Sequence, residues 1–173
     1  INYNFSYGWQ SAWKKRDVTS ATEYAILQNE KYLNGGSAPI YADPYSLIDS
    51  NGAAITGFGT DWQELVFNDN APMMNHDVTV SGASEKVNYY LSMGYLKQEG
   101  IVGGNYGHSN YDRLTLRSNT NYNLWDASKE RSFLNKLDLS VNVAYMSTHS
   151  TGVSENSEFG SILGSALYMS PLL

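Results

Sequence analysis

Cysteine is absent from this chain, which excludes disulfide frameworks and thiolate metal sites and fits an oxidising compartment without requiring one. Proline is nearly absent too. Only Pro39, Pro44, Pro72 and Pro171 occur in 173 residues, all outside the segments that read as strands, as expected where each strand N–H is paired. No run of eighteen apolar residues exists, so no transmembrane helix is expected. The N-terminus lacks a charged region followed by an apolar stretch, so a signal peptide, if any, is expected to be already removed. Basic residues are few, eleven against seventeen acidic for a net charge of −6, which disfavours nucleic acid as a partner because phosphate binding needs a basic surface.

What the chain has instead is aromatics and alternation. Fourteen tyrosines, five phenylalanines and four tryptophans sit largely in segments where apolar and polar residues take turns, the signature of a strand with one greasy and one wet face. In the first, Ile1, Tyr3, Phe5, Tyr7 and Trp9 oppose Asn2, Asn4, Ser6, Gly8 and Gln10. In the fourth, Leu114, Leu116, Tyr122 and Leu124 oppose Arg113, Arg117, Asn119, Asn121 and Asn123. Two arginines and three asparagines do not enter a dry core without partners, whereas a water-filled lumen takes them readily. Mean hydropathy is negative, but outer-membrane barrels hide their apolar surface in alternation and score polar as well.

The alternation predicts about five strands, at 1–11, 74–82, 86–97, 110–124 and 133–148. In the third, Val87, Tyr89, Leu91, Met93 and Tyr95 share a face; in the fifth, Leu137 to Tyr145 oppose Lys136, Asp138, Ser140, Asn142 and Ala144. The connections run long, short, medium, short: residues 12–73, the turn SGASEK, the loop KQEGIVGGNYGHSN and the turn WDASKERS. Short turns at one end and long loops at the other are the asymmetry of an outer-membrane barrel. By parity, 12–73, 97–110 and 149–173 are expected outside and 82–85 and 125–132 in the periplasm. Within the first loop, Thr19 or Ser20 starts a helix near 20–33, Ser20 and Glu23 forming a capping box, with Asn34-Gly35-Gly36 ending it. A short helix is expected at Trp62 to Phe67, capped by Asp61 or Thr60. The tail from Gly160 is apolar without strict alternation and reads as a loop helix or apron, the alternative being a sixth strand. The fold class is thus all-β: an antiparallel meander forming part of a transmembrane β-barrel, with short helices in a long extracellular loop.

These residues resemble a known family. The run RDVTSATEYAILQNE, then DWQELVFNDNAPMMNHDVTVSGASEKVNYYLSMGYLKQEGIV, then YDRLTLRSNTNYNL is similar to the SusC/RagA-like TonB-dependent transporters of Bacteroidetes outer membranes. Its most specific pieces are Ala21 to Ala25, Asp61 and Trp62, Asn75 to Gly100, and the pair Arg113 and Arg117; residues 35–59 carry little of it. The resemblance implies a barrel of roughly twenty-two strands, plugged from the periplasm, capped by a SusD-like surface lipoprotein, driven by TonB, and importing oligosaccharides or peptides. On that reading this chain is the N-terminal part of the barrel, with the plug, the TonB box and TonB contact lying in parts not included here. Five strands alone would leave two open edges and a greasy face, so the rest of barrel and plug and the lipid bilayer are expected partners.

Catalysis finds little support, and no cofactor or metal is expected. His76, His108 and His149 are far apart, none in a zinc-ligand spacing. GAAITGFG and VGGNYG lack the strand-to-helix context of a phosphate loop. Asp49-Ser50-Asn51-Gly52 suggests a calcium loop only faintly, no glutamate following at the required spacing, and reads as a turn. For substrate contact the loop aromatics Trp13, Tyr41, Tyr45 and Trp62 are candidates, since sugar rings stack on aromatic faces; packing of the loop onto the barrel is the plainer role for each. Trp9, Tyr95 and Trp125 sit where an interfacial girdle would lie. Arg113, Arg117, Asn119, Lys136 and Asp138 are expected to face the lumen, as a charge ladder between barrel and plug rather than a substrate path. Two rivals remain: a soluble β-rich carbohydrate-binding module, and a passive porin or adhesin barrel.

Overall fold

The structure, a computed structural model, describes residues 1–103, 109–127, 129–130, 133–153 and 160–173. His108, most of VGGNYG, and parts of the loop before 110, the turn after 126 and the tail before 160 lie outside the described residues. Five strands, β1 (Asn2–Gln10), β2 (Ala71–Ala83), β3 (Val87–Glu99), β4 (Asn110–Asp126) and β5 (Lys136–Thr151), form one antiparallel sheet in chain order. Three helices accompany them, α1 (Ala21–Asn34), α2 (Trp62–Val66) and α3 (Ile162–Tyr168). No described helix is long and apolar enough to cross a membrane.

The chain divides into two units, each with its own contacts. The first is the sheet, Ile1–Gln10, Asn70–Gly100 and Ser109–Gly152. It has almost no core. All sixteen residues of β5 are exposed, and the buried residues of the sheet are Ala71 and Thr120. Its order comes from backbone pairing between neighbours, and its side chains stand out on both faces.

Strand ends differ from those the alternation suggests, for local reasons. β2 starts at Ala71, inside the segment expected as loop, and carries Pro72 opposite Trp9. A proline fits there because β3 pairing begins only at Met73, leaving Pro72 with a neighbour on one side. The turn between β2 and β3 shrinks to Ser84–Lys86, because the Ser84 hydroxyl accepts from the N–H of Val87 (3.1 Å) and of Lys86 (3.4 Å). Ser81 and Gly82 therefore stay in the strand, where the Tyr89 ring occupies the space a Cβ on Gly82 would need, 2.6 Å away. A bulge in β4 shifts register between Asn123 and Trp125, so Trp125, not Leu124, stands opposite Leu137 on the apolar face.

The second unit comprises Ser11–Asp69, residues 101–103 and the tail from Val153. Ser20 caps α1: its hydroxyl accepts from the Glu23 N–H, and the Glu23 carboxylate accepts from the Ser20 N–H at 2.8 Å. Asp61 caps α2, accepting from the Glu64 N–H at 3.0 Å. The tail forms α3 rather than a strand, with Ser161 as its cap. A small core gathers Ala21, Ala25 and Leu47, with Tyr41, Ile55 and Leu172 against them.

Candidate functional site

Because paired residues in an antiparallel sheet point to the same side, the register assigns every strand residue to a face. One row reads Tyr3, Val78, Met93, Leu116 and Tyr145 across all five strands. Two residues along each strand, the next row reads Phe5, His76, Tyr95, Leu114 and Ser147. On the opposite face, Asn4, Asp77, Gly94, Thr115 and Met146 form one row, and Asn2, Thr79, Ser92, Arg117 and Ala144 another. One sheet thus carries one apolar and one polar face over its whole width.

The apolar face is a band that crosses the strands obliquely. Its upper edge steps from Trp9 to Met74, Tyr95, Leu114 and Tyr145, and the register places Tyr145 three rows below Trp9. Three rows are six residues, about 20 Å along a strand at ~3.3 Å each, for about 19 Å across four strand gaps. A level band therefore needs strands tilted by roughly 45°, the tilt of strands in a bilayer. The lower edge steps the same way, from Val80 through Val87 and Tyr122 to Leu137. Val87 to Tyr95 and Leu137 to Tyr145 each span about nine residues, the length of a membrane-crossing strand. Beyond the upper edge the same face turns polar, with Lys97, Asp112, Ser147 and His149. Among the apolar residues, His76 contacts the Phe5 ring at 4.7 Å and shares a 2.8 Å hydrogen bond with the Tyr3 hydroxyl.

On the polar face, Arg113, Arg117 and Asn119 of β4 fall together as the alternation predicts, with Lys136 and Asp138 on β5. Lys136 and Asp138 pair with each other at 3.0 Å. Arg113 and Arg117 line a cavity of about 520 Å³ with Asn4, Asn75, Asp77 and Thr115. Neither arginine makes an ion pair among the described residues. Sequence reasoning missed Asp77: Asn75 donates to its carboxylate, and that carboxylate lies across β3 over Gly94, where a Cβ would come within 2.9 Å. A glycine on the wet face of a long strand was the available signal.

The four aromatic candidates are not brought together. Trp62 donates its indole N–H to the Ser170 carbonyl at 2.8 Å, and Tyr41 packs on the small core with its backbone clasped by the Asn29 amide at 2.8 and 2.9 Å. Burial raises the Tyr41 phenol above its ordinary range. Trp13 is fully exposed and Tyr45 is 81% exposed. The Asp49 carboxylate accepts from the N–H groups of Asn51 and Ala53, both at 2.8 Å, and so closes a turn. Those hydrogen bonds hold it below the usual carboxylate range. Among the described residues no cluster of acidic or histidine side chains could hold a metal ion.

No family model matches the chain. Individual relatives do. TonB-dependent receptor P26 of Formosa agariphila is 33% identical over 112 residues, covering 65% of this chain and 10% of the receptor. TonB-dependent receptor SusC of Bacteroides thetaiotaomicron is 26% identical over 171 residues, covering 99% of this chain and 14% of SusC. By sequence the chain resembles a segment of the SusC-like TonB-dependent receptors. A third relative, TonB-dependent receptor P3 of Formosa agariphila, is 25% identical over 127 residues. The SusC-like chain spans 10% and 14% of the first two relatives' lengths, and its five-stranded antiparallel meander is consistent with part of a β-barrel.

Proposed function

We propose that this chain is part of the barrel wall of a TonB-dependent outer-membrane importer, a non-enzymatic conduit for oligosaccharides or peptides. The observation that supports this most is the segregation of faces by register: an oblique apolar band on one side and uncompensated arginines on the other. In a soluble sandwich the band would need a second sheet against it, and Leu116, Val143 and Tyr145 are instead 38%, 56% and 55% exposed. In a bilayer those side chains face lipid, and Arg113, Arg117 and Asn119 face a wet lumen.

On this reading residues 12–73, 97–110 and 149–173 lie outside and the two short turns lie in the periplasm. A SusD-like lipoprotein covers the outer mouth, and TonB acts through the plug, which other parts of the polypeptide supply. Arg113, Arg117, Asn119, Lys136 and Asp138 are the lumenal ladder. Trp13 and Tyr45, whose rings are exposed, are better placed to meet cargo than Tyr41 and Trp62, which hold the loop together.

The test pairs spin labels at Leu116 and Arg117 in the full-length protein. Quenching by a lipid-soluble reagent at 116 and by a water-soluble one at 117 supports the assignment; equal accessibility sinks it.

A further inference from the structure

We propose that the second unit carries a socket for one arginine side chain of a protein whose docking face is basic. The proposal rests on the outside placement of residues 12–73 proposed above. The socket lies where α1, α2 and the tail around α3 meet. It holds about 80 Å³ and is lined by Tyr24, Phe58, Trp62, Tyr168 and Met169, with the Asp61 carboxylate among them. Free small molecules occupy sites of roughly 300–1,000 Å³, so this one suits the head of a single side chain. Trp62 is fixed in place because its indole N–H donates to the Ser170 carbonyl at 2.8 Å, which leaves the apolar surface of the ring for an occupant. Phe58 and Tyr168 are each 65% exposed, so the socket opens to the surface.

Aromatic rings around one carboxylate select a cation. A guanidinium is flat, stacks on aromatic faces and bonds a carboxylate through its edge, whereas an ammonium is a compact point charge that water holds more tightly. Asp61 is open to such a group. It is exposed, its Oδ1 accepts from the Glu64 N–H at 3.0 Å, and among the described residues its carboxylate has no cationic partner. Lys15, whose charge reaches Asp61, is bonded instead to Glu64 and lies 4.0 Å from Asp69. The wider charge pattern says what carries the arginine. Residues 11–69 hold eight acidic side chains against four basic, while the sheet segments 1–10, 70–100 and 109–152 are balanced at seven each. A basic protein face is therefore drawn to the second unit and not to the sheet. An arginine seated among aromatic rings is the kind of anchor that dominates such an interface.

The photocrosslinker p-benzoylphenylalanine, placed at Phe58 of the full-length receptor and activated on intact cells, reports the occupant, and mass spectrometry of the adduct gives the attached peptide. The expected adduct is with one protein, joined within a few residues of an arginine. Asp61→Asn keeps a side chain that caps α2 but removes its charge, and should lower the adduct yield about tenfold. Replacing the partner's arginine by glutamine, which changes nothing in this chain, should lower the yield equally. Both changes together should lower it no further, because they remove the same contact. An adduct without a nearby arginine, a short peptide in place of a protein, or effects of the two changes that multiply overturns the socket. Labelling of Trp13→Cys on intact cells by a membrane-impermeant maleimide separates the two levels. A labelled receptor that gives no adduct at Phe58 refutes the socket alone, whereas an unlabelled one refutes the outside placement and the socket with it.

Discussion

Single side chains do the work of backbone in the second unit. Gln63, 5% exposed, accepts from the Arg16 N–H at 2.9 Å and donates to the Arg16 carbonyl at 2.7 Å, so a helix residue pairs with a loop as a strand would. Gln63→Ala removes both bonds and leaves two backbone groups short of partners. It should cost about 1–3 kcal/mol of local stability, read as faster hydrogen exchange at the Arg16 amide. At the start of α1, hydrogen bonds from the Ser20 backbone and then its hydroxyl lower the pKa of Glu23 below the ordinary glutamate range. A carboxylate depressed in the folded state contributes stability above its unfolded pKa and loses it as pH falls through the folded value. Helix α1 should therefore fray on acidification through and below the ordinary glutamate range, and Glu23→Gln should remove that pH dependence, as amide exchange along 21–25 would reveal. Lys15 is the mirror case: its bond to Glu64, the largest cause, raises it, so its contribution is full below the ordinary lysine value and is lost as pH rises from there through the raised one.

At the scale of the strand, what matters is which face a substitution meets. Leu116 and Arg117 are neighbours in sequence and lie on opposite faces of β4. Leu116→Arg, near the middle of the apolar band, should cost about 2–4 kcal/mol in a bilayer, while Arg117→Leu should change stability by less. Reversible unfolding of the full-length protein in lipid vesicles compares them. Gly94→Val tests the crossing carboxylate: a Cβ there would meet Asp77 Oδ1 at 2.9 Å, so the Asp77 carboxylate must shift within the cavity that Arg113 and Arg117 also line. The expected outcome is little change in stability and a measurable change in conductance of the unplugged barrel, where lumenal charge sets ion passage.

The strands were readable because a period of two is a local signal, visible in Val87 to Tyr95 or Leu137 to Tyr145 without knowing any partner. The capping box at Ser20 and Glu23 was readable for the same reason, since its four residues contain the whole interaction. Pro72 was misread as loop because its tolerance depends on where β3 ends, which the sequence of β2 does not state. Trp125, expected just past the strand end, joins the apolar face opposite Leu137 because a bulge inserts one residue into the count, and a period of two is blind to insertions of one. For Trp62 packing was the plainer role in the sequence, but the acceptor of its N–H, the Ser170 carbonyl, lies too far along the chain to be read there.

For the whole molecule, the sheet is half of an argument that lipid or further strands complete. Among the described residues β1 and β5 are the outer strands of the sheet, and the apolar face carries exposed side chains such as Leu116, Val143 and Tyr145. Expressed alone in water, residues 1–173 should aggregate or stay unfolded, and in the intact receptor they should be protected. Comparing protease resistance of the isolated chain with that of the full-length protein in detergent checks this; a monomeric, resistant isolated chain would contradict it. The intact mass of the native polypeptide, set against the 19.2 kDa of this chain, tests whether the sheet belongs to a longer polypeptide.

The sequence by itself determined the two-faced strands, their order, the helix caps and the SusC-like resemblance, because each rests on residues close together in the chain. Only the tertiary structure decided the oblique course of the apolar band and the reach of Asp77 over Gly94. Those depend on register, and register is set by how neighbouring strands slide against one another until every backbone N–H and side-chain face is matched, a condition no single strand can express.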